Sequence, residues 1–397
     1  MSDVALFEEI KPAYSVEDMV SSLSHDNGLT AVSTFSGCGG SSLGLRRAGW
    51  RIPYAVEFID EARATYQANF PSTYVDARDI RTIKGAEILE RIGKARGELD
   101  LLEGSPPCSS FSAINNRDAA AASRFGYGKV KAYSGKRQAT DDLFFEFLRL
   151  VDELNPRAVI AENVVGLNYA TTNGKVVEHG EELSLREVVT LPANVLDSLI
   201  LEPLRDMGYR VFANRKVSAS TFGAATSRSR VYIHAYRSDL DLAPQAPRST
   251  GHAYTIGDAL NAMPGERDKR TGRVEPDLEQ FRAAAGVAAN PWQAVPWSLL
   301  KSGEHSDSPF QLYRCGWDQH LPAVAARYYH SGTGPMHPDV CRLFTVDEIK
   351  WMSTFPLDFI TTGTYAQQAE RIGRAVVPAV YEAYGRMIAD DLKRAAR

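Results

Sequence analysis

The chain has 397 residues, 44% of them hydrophobic, and charged residues of both signs that sum to a formal net charge of -4. This composition allows a large buried core and excludes a disordered, collagen-like or uniformly basic protein, although a local basic cleft remains compatible with it. The length suggests two or three domains.

The four cysteines form no CxxC pair, which argues against a zinc site or a disulfide framework. The N-terminus carries acidic residues instead of a signal pattern, and no apolar run is long enough to span a bilayer. We therefore expect a cytoplasmic protein with no bound metal and no membrane partner.

Short β-rich runs alternate with helical stretches from residue 29 to about residue 233. The strands and extended segments are predicted, in chain order, at 31–35, 54–58, 74–75, 99–103, 158–161, 210–213 and 231–235. The helices between them are predicted at 42–48, 60–69, 143–154 and 195–207. Such alternation predicts an α/β fold with a doubly wound, mostly parallel sheet.

The pattern changes after residue 237, where Pro, Gly and Trp become frequent and the periodicity fades. We predict an N-terminal extension at 1–28, a first domain at 29–237, a smaller loop-rich domain at 238–360 and a C-terminal segment at 361–397. Helices are predicted at 346–352 and 378–392, and the last of them is expected to pack back on the first domain.

A glycine-rich turn, residues 34–40, follows the first predicted strand and precedes a helix. Glycines let the backbone approach a ligand closely, and Glu57, about 20 residues on, occupies the place where an acidic residue binds ribose hydroxyls. Phe35 could stack on an adenine ring, and Asp79 could accept a hydrogen bond from the adenine amino group. A tight turn with surface carboxylates fits equally well, and an acidic lining suits a cationic ligand better than a dinucleotide.

Cys108 ends a loop that runs Gly-Ser-Pro-Pro-Cys directly after the fourth predicted strand. Ligands of doubly wound sheets bind at this carboxyl edge, and two prolines stiffen the loop. Cys108 is therefore a candidate nucleophile, with a structural cysteine as the alternative.

Three further polar residues lie near the same edge. Glu162 ends the fifth predicted strand, where a partly buried carboxyl could donate a proton, unless it only caps the next helix. Arg228 and Arg230 lead into the last strand, and alternation places them on one face. Two guanidinium groups suit a carbonyl oxygen or a phosphate, with a solvated edge pair as the alternative.

Together these motifs resemble, in content and order, the DNA cytosine-C5 methyltransferases over nearly the whole chain. The matching blocks are residues 35–40, 57, 69–71, 79, 104–108, 111–112, 162–164, 228–231, 337–356 and 372–378. Pro-Pro-Cys together with Glu-Asn-Val is their most specific combination. In the adenine-N6 and cytosine-N4 enzymes an aromatic residue follows the two prolines, so Cys108 indicates C5 chemistry.

The resemblance implies the fold of S-adenosylmethionine-dependent methyltransferases, with residues 29–237 as the catalytic domain and 238–360 as the target-recognition domain. Cys108 would attack C6 of a flipped-out cytosine, Glu162 would bind N3 and supply a proton, and Arg230, with Arg228 behind it, would bind O2. The implied cofactor-binding residues are Phe35, Ser36, Gly37, Gly39, Gly40, Glu57, Phe58, Asp79, Ile80, Gly104, Pro106, Arg374, Ala375 and Val376.

The implied partner is double-stranded DNA, bound by a monomeric enzyme that could belong to a restriction-modification system. A basic, glycine-containing stretch after Cys108 supports this and is predicted to close over phosphates. A solvated surface loop is the alternative. Its basic residues are Arg117, Arg124, Lys129, Lys131, Lys136 and Arg137.

The chain departs from the family pattern at several positions. Ser109 and Thr226 stand where the family has glutamine, Ala225 where it has proline, and Arg374 where it has an asparagine near the cofactor. One hypothesis is that Arg374 clamps the carboxylate of carboxy-S-adenosylmethionine, which would make 5-carboxymethylcytosine. The alternative is that Arg374 points away, toward a phosphate or a carboxylate such as Glu370. Methylation of transfer RNA and non-catalytic DNA binding remain further alternatives.

Overall fold

The computed structural model describes residues 26–107, 143–169, 195–263, 300–304, 313–324 and 334–395. Seven strands form the central sheet: β1 (Thr30–Thr34), β2 (Arg51–Val56), β3 (Tyr74–Asp76), β4 (Leu101–Gly104), β5 (Ala158–Val164), β6 (Tyr209–Ser218) and β7 (Ser229–Arg237). Their order is β3-β2-β1-β4-β5-β7-β6. The first five are parallel, and β7 is antiparallel to both of its neighbours. The predicted doubly wound, mostly parallel sheet is thereby confirmed.

Helices cover the sheet and continue beyond it. They are α1 (Gly40–Arg47), α2 (Asp60–Asn69), α3 (Gly85–Ile92), α4 (Leu143–Leu154), α5 (Glu202–Asp206), α6 (Ile256–Ala262), α7 (Val346–Met352), α8 (Tyr365–Arg374) and α9 (Pro378–Ala395). Two short strands, β8 (Tyr313–Arg314) and β9 (Pro335–Met336), pair in parallel. Within the described ranges, no helix combines the length and apolarity needed to cross a membrane.

Three of the described helices were not predicted from the sequence. α3 follows the third strand, and α6 lies in the segment that was predicted to be loop-rich. α8 begins with a capping box in which Thr364 and Gln367 bond each other's backbone N–H groups. The third strand extends to Asp76, one residue beyond its predicted range, and Asp79 follows it as the cap of a 3₁₀ turn, where its side chain accepts a bond from the Arg81 N–H.

Each face of the sheet has its own apolar core. On one face Val32, Leu102 and Val159 pack against α4, and on the other Ala31, Leu101 and Ile160 pack against α9. Successive residues of a strand point to opposite faces, and these strands are apolar on both, as a sheet covered on two sides requires.

A third core joins the sheet domain to the later part of the chain. It combines Leu43 and Tyr66, from α1 and α2, with Phe344, Phe355 and Ile372. These contacts cross residue 237, where we predicted a domain boundary, and that boundary stays a prediction.

The C-terminal helix α9 lies directly against α1. The Trp50 indole N–H, just after α1, donates to the Gly385 carbonyl at 2.9 Å. The two helices approach each other most closely at Gly44, where an added side chain would meet backbone atoms of Pro378 and Glu382. At Gly385 an added methyl would meet side-chain atoms of Ala48 and Leu45 instead.

We expect Gly44→Ala to destabilise the protein by about 1–3 kcal/mol, because backbone atoms cannot yield to an overpacked methyl as side chains can. Gly385→Ala, in the same interface, is the matched control and should cost clearly less. Urea denaturation measures the free energy of unfolding of both variants, provided that they share the same dependence of this free energy on urea concentration. Equal losses would contradict the packing described here.

Candidate active site

Strand directions bring the polar residues to one edge of the sheet. β1, β2, β4 and β5 are parallel, so their carboxyl ends share that edge. β7 is antiparallel, so it begins where they end, with Val164 opposite Arg230. The glycine turn, the loop after β4, the end of β5 and the paired arginines therefore lie around one region.

The Glu162 carboxylate is the centre of this region. It is 6% exposed, and its Oε1 lies 2.9 Å from Arg230 Nε and 3.5 Å from Arg228 Nη2. Two cations compensate a charge that would otherwise be costly to bury. The Arg230 N–H is not aimed at Oε1, and among the described residues this buried oxygen accepts no hydrogen bond. The predicted convergence of Glu162, Arg228 and Arg230 is present.

Arg228 also connects this carboxylate to the end of α8. Its guanidinium donates to the Gly373 carbonyl at 2.7 Å and to the Arg374 carbonyl at 2.9 Å. A cation at these terminal carbonyls complements the helix dipole. Burial, together with the neighbouring Arg230, lowers the pKa of Arg228 to about 10, so the side chain is charged at neutral pH.

The loop after β4 is tied to the end of β5. The Asn163 amide donates to the Pro106 carbonyl at 3.1 Å, and its oxygen accepts from the Val164 N–H at 2.8 Å. Cys108 follows Pro107 in the chain and lies outside the described residues. The three described cysteines do not readily form thiolates, because burial raises the pKa of Cys38 to about 12 and also raises the pKa values of Cys315 and Cys341.

The glycine turn forms the neighbouring part of the site. Glu57 accepts from the Gly37 N–H through Oε2 and from the Ile59 N–H through Oε1, both at 2.7 Å. Each oxygen keeps a further lone pair, which suits the hydroxyl donors of a ribose. Burial raises the pKa of this carboxyl. Phe35 has a φ of 53°, a strained conformation for a bulky residue of the kind found at functional sites.

The remaining predicted cofactor residues are distributed around this turn. Gly40 lies so close to Ala375 and Val376 that a side chain on it would meet the Val376 carbonyl. Ser36 donates to the carbonyl of Val56 at 3.2 Å, and Gly104 packs against Thr34 and Phe147. Phe58 and Ile80 lie beyond the ends of β2 and β3.

Arg374 directs its side chain toward a carboxylate of its own helix. Its Nη2 lies 2.7 Å from Glu370 Oε1, one helical turn back, and the side chain is 38% exposed. This is the alternative arrangement considered above. The six basic residues predicted to contact DNA, from Arg117 to Arg137, lie outside the described residues.

Glu103 is a site residue that sequence analysis overlooked. It lies in β4 just before the loop, is fully buried, and accepts hydrogen bonds from the Ser33 and Ser41 hydroxyls. The available signal was a single glutamate at the end of an apolar strand, preceded by Leu101 and Leu102.

Comparison with known proteins places these features in context. The family model for C-5 cytosine-specific DNA methylases matches residues 29–390. The type II methyltransferase M.PspPI of Psychrobacter sp. is 27% identical over 376 residues, 90% of this chain and 78% of that protein. M1.HphI of Haemophilus parahaemolyticus is 27% identical over 373 residues, 89% of this chain and 85% of that protein.

Two solved structures share the fold. A protein described as a DNA modification methyltransferase encoded within an E. coli prophage has a TM-score of 0.64 at 22% identity, with 93% of this chain and 99% of that chain covered. A DNMT2 variant of Spodoptera frugiperda has a TM-score of 0.56 at 16% identity, with 93% and 100% covered.

We expect Arg228→Met to destabilise the protein by about 3 kcal/mol, because it removes a buried partner of Glu162 and leaves two α8 carbonyls unpaired. Arg374→Met, the same exchange in a half-exposed pair with Glu370, should cost less than about 1 kcal/mol. Urea denaturation compares the two. An Arg374 variant as destabilised as the Arg228 variant would refute the assignment of Arg228 to the buried network.

Proposed function

The chain belongs to the family of C-5 cytosine-specific DNA methylases, and on that premise we propose that Cys108, Glu162 and Arg230 carry out its reaction. The protein is a DNA cytosine-C5 methyltransferase, as the resemblance implied, and the family in general uses S-adenosylmethionine and a cysteine intermediate. The observation that carries our assignment is the buried contact of Glu162 with Arg228 and Arg230, beside the loop that leads to Cys108.

The donor set of the glycine turn fits S-adenosylmethionine. Glu57 would accept from the ribose hydroxyls with its remaining lone pairs, Asp79 would accept from the adenine amino group, and Phe35 would contact the ring. Carboxylates are also favourable neighbours for a cationic ligand without phosphates. When bound, this cofactor supplies an electrophilic methyl group on a sulfonium.

The residues of the chain then act on the base. The Cys108 thiolate forms a bond to C6 of cytosine, and the electron pair of the C5–C6 double bond makes C5 nucleophilic. Glu162 holds a proton at N3, and Arg230 stabilises charge on O2, while Arg228 keeps both in place. After C5 is alkylated it loses its proton to a base, and the C6–S bond breaks to release the thiolate.

Access to C6 requires the base to leave the duplex. Flipping costs a few kcal/mol, which contacts to the DNA backbone must offset. We propose that the basic residues from Arg117 to Arg137 provide such contacts and that residues 238–360 recognise the target sequence. Since the relatives named above are type II methyltransferases, we further propose a monomeric, cytoplasmic enzyme of a restriction-modification system.

The donor is proposed to be S-adenosylmethionine rather than its carboxylated form. The Arg374 guanidinium already pairs with Glu370, so its charge is compensated without an anionic donor group. The backbone of residue 374, not its side chain, carries the contact with Arg228.

We expect Cys108→Ala to reduce DNA methylation to background while DNA affinity stays within a few-fold of wild type, because only the covalent step is lost. Cys341→Ala, at a half-buried cysteine, is the matched control and should retain activity. Bisulfite or nanopore sequencing of DNA from expressing cells gives target base and context together. Methylation by the Cys108 variant would rule out this residue as the nucleophile.

With both donors supplied, mass spectrometry of the treated DNA should detect 5-methylcytosine and no 5-carboxymethylcytosine. Arg374→Asn should leave methyl transfer within about threefold of wild type, because a half-exposed i,i+4 pair contributes little. A carboxymethyl product that disappears in the Asn variant would establish the alternative donor.

A further inference from the structure

We propose that Glu103 is a positioning residue for this reaction: a neutral carboxylic acid that joins the glycine turn of the cofactor site to the loop leading to Cys108. The proposal rests on the proposed function and adds to it a residue that acts through its neighbours. Glu103 itself lies beneath the site, where it is fully buried.

One carboxyl oxygen is bonded to the glycine turn. Oε1 accepts from the hydroxyl of Ser33, in β1, and from that of Ser41, in α1, at 2.8 Å. The Ser33 hydroxyl, whose proton goes to Glu103, also lies 2.7 Å from that of Ser36, whose single proton is shared between Ser33 and the Val56 carbonyl at 3.2 Å. This chain of hydroxyls links Glu103 to both sides of the turn, including the strand end that precedes Glu57.

The other oxygen faces the catalytic loop and α9. Glu103 Oε2, Ser105 Oγ and Tyr381 Oη are all buried, and none of these three atoms reaches hydrogen-bond geometry among the described residues. The Tyr381 hydroxyl nevertheless faces both the carboxyl and Ser105. Three buried polar atoms without hydrogen bonds are costly unless they pair with one another. A proton on Oε2 would let the carboxyl donate to one of the two hydroxyls, in addition to the proton that each hydroxyl carries itself.

The charges around Glu103 favour this neutral form. Its described surroundings contribute no ion pair, whereas the nearby Glu162 carboxylate repels a second negative charge. The other titratable groups that face it are the hydroxyls of Tyr381, on α9, and of Tyr66, on α2. Burial, with a contribution from Glu162, raises the pKa of Glu103 to about 7.

Ionisation of Glu103 would disturb the site. As the pH rises through 7, Oε2 loses its proton, so the donor toward the loop disappears and a second charge builds up beside Glu162. The neutral form is present below pH 7 and lost above it. The rate of methyl transfer by the wild-type enzyme should therefore fall as the pH rises above 7, and the ionisation of Glu103 should cause this fall.

Glu103→Gln isolates the effect of ionisation. The glutamine oxygen can accept from the serine hydroxyls as Oε1 does, and the glutamine NH₂ group can donate as protonated Oε2 does, but it cannot lose its proton in this pH range. The readout is the ratio of kcat/KM, variant over wild type, from pH 6 to pH 9. Titrations common to both proteins cancel in this ratio. At pH 6 we expect the kcat/KM values of the variant and the wild type to agree within about threefold. By pH 9 the ratio should have risen about tenfold, because only the wild-type enzyme loses activity through this ionisation.

Two phenylalanine variants on α9 test the direction of the contact. Tyr381→Phe removes a hydroxyl that can donate to the ionised carboxyl, so its alkaline midpoint should move to higher pH. Tyr384→Phe removes a buried hydroxyl that has no partner in the Glu103 network, and its profile should match wild type.

A ratio that does not change with pH, or equal shifts for the two phenylalanine variants, overturns the proposal for Glu103. A wild-type protein that does not methylate DNA at any pH overturns the proposed function instead. Thermal melting of Glu103→Gln within a few degrees of wild type separates either result from misfolding.

Discussion

A carboxylate at the end of a buried strand needs a compensating cation, and Glu162 meets this requirement through strand direction. β7 runs antiparallel to β5, so its first residues lie against the last residues of β5, with Asn163 opposite Val231 and Val164 opposite Arg230. In a fully parallel sheet, the amino end of this strand would lie at the opposite edge. The antiparallel strand is therefore what permits Glu162 to be buried at the site where parallel strands end.

The same edge holds a second buried carboxyl with the opposite surroundings. β4 and β5 are neighbours, with Gly104 beside Ala161, so Glu103 and Glu162 lie on adjacent strands near their carboxyl ends. Two guanidinium groups lie beside Glu162 and stabilise its charge, whereas Glu103 has no cation beside it among the described residues. Burial and the neighbouring Glu162 favour a proton on Glu103, and this outweighs the bonds donated by the two serine hydroxyls, which favour its ionised form. Environments that separate two carboxyls in this way assign them different tasks. In our proposal, Glu162 contacts the reacting base, and the neutral Glu103 supports the loop beside it.

The sequence predicted what depends on local pattern. Alternating strands and helices identified the sheet, and motif order predicted that Glu57, Glu162, Arg228 and Arg230 would lie at one edge of it. The pairing of Arg228 with carbonyls 145 and 146 residues away was not predictable, since it requires the position of α8, which our prediction omitted. Glu103 was missed for a related reason. Its hydroxyl partners come from a different strand and a helix, and no spacing in the sequence reveals that they meet.

Arg374 illustrates the same limit for a single substitution. From sequence, an arginine in place of asparagine near the cofactor left two alternatives, a carboxylated donor or a side chain that points away, because side-chain chemistry is all that a sequence displays. In the fold, the contact that joins position 374 to Arg228 and Glu162 is made by its carbonyl, which every residue possesses. The guanidinium extends to Glu370 along the outside of α8. The helix end thus retains its part in the site whichever side chain it carries, and this backbone role explains how the position tolerates a larger, charged residue.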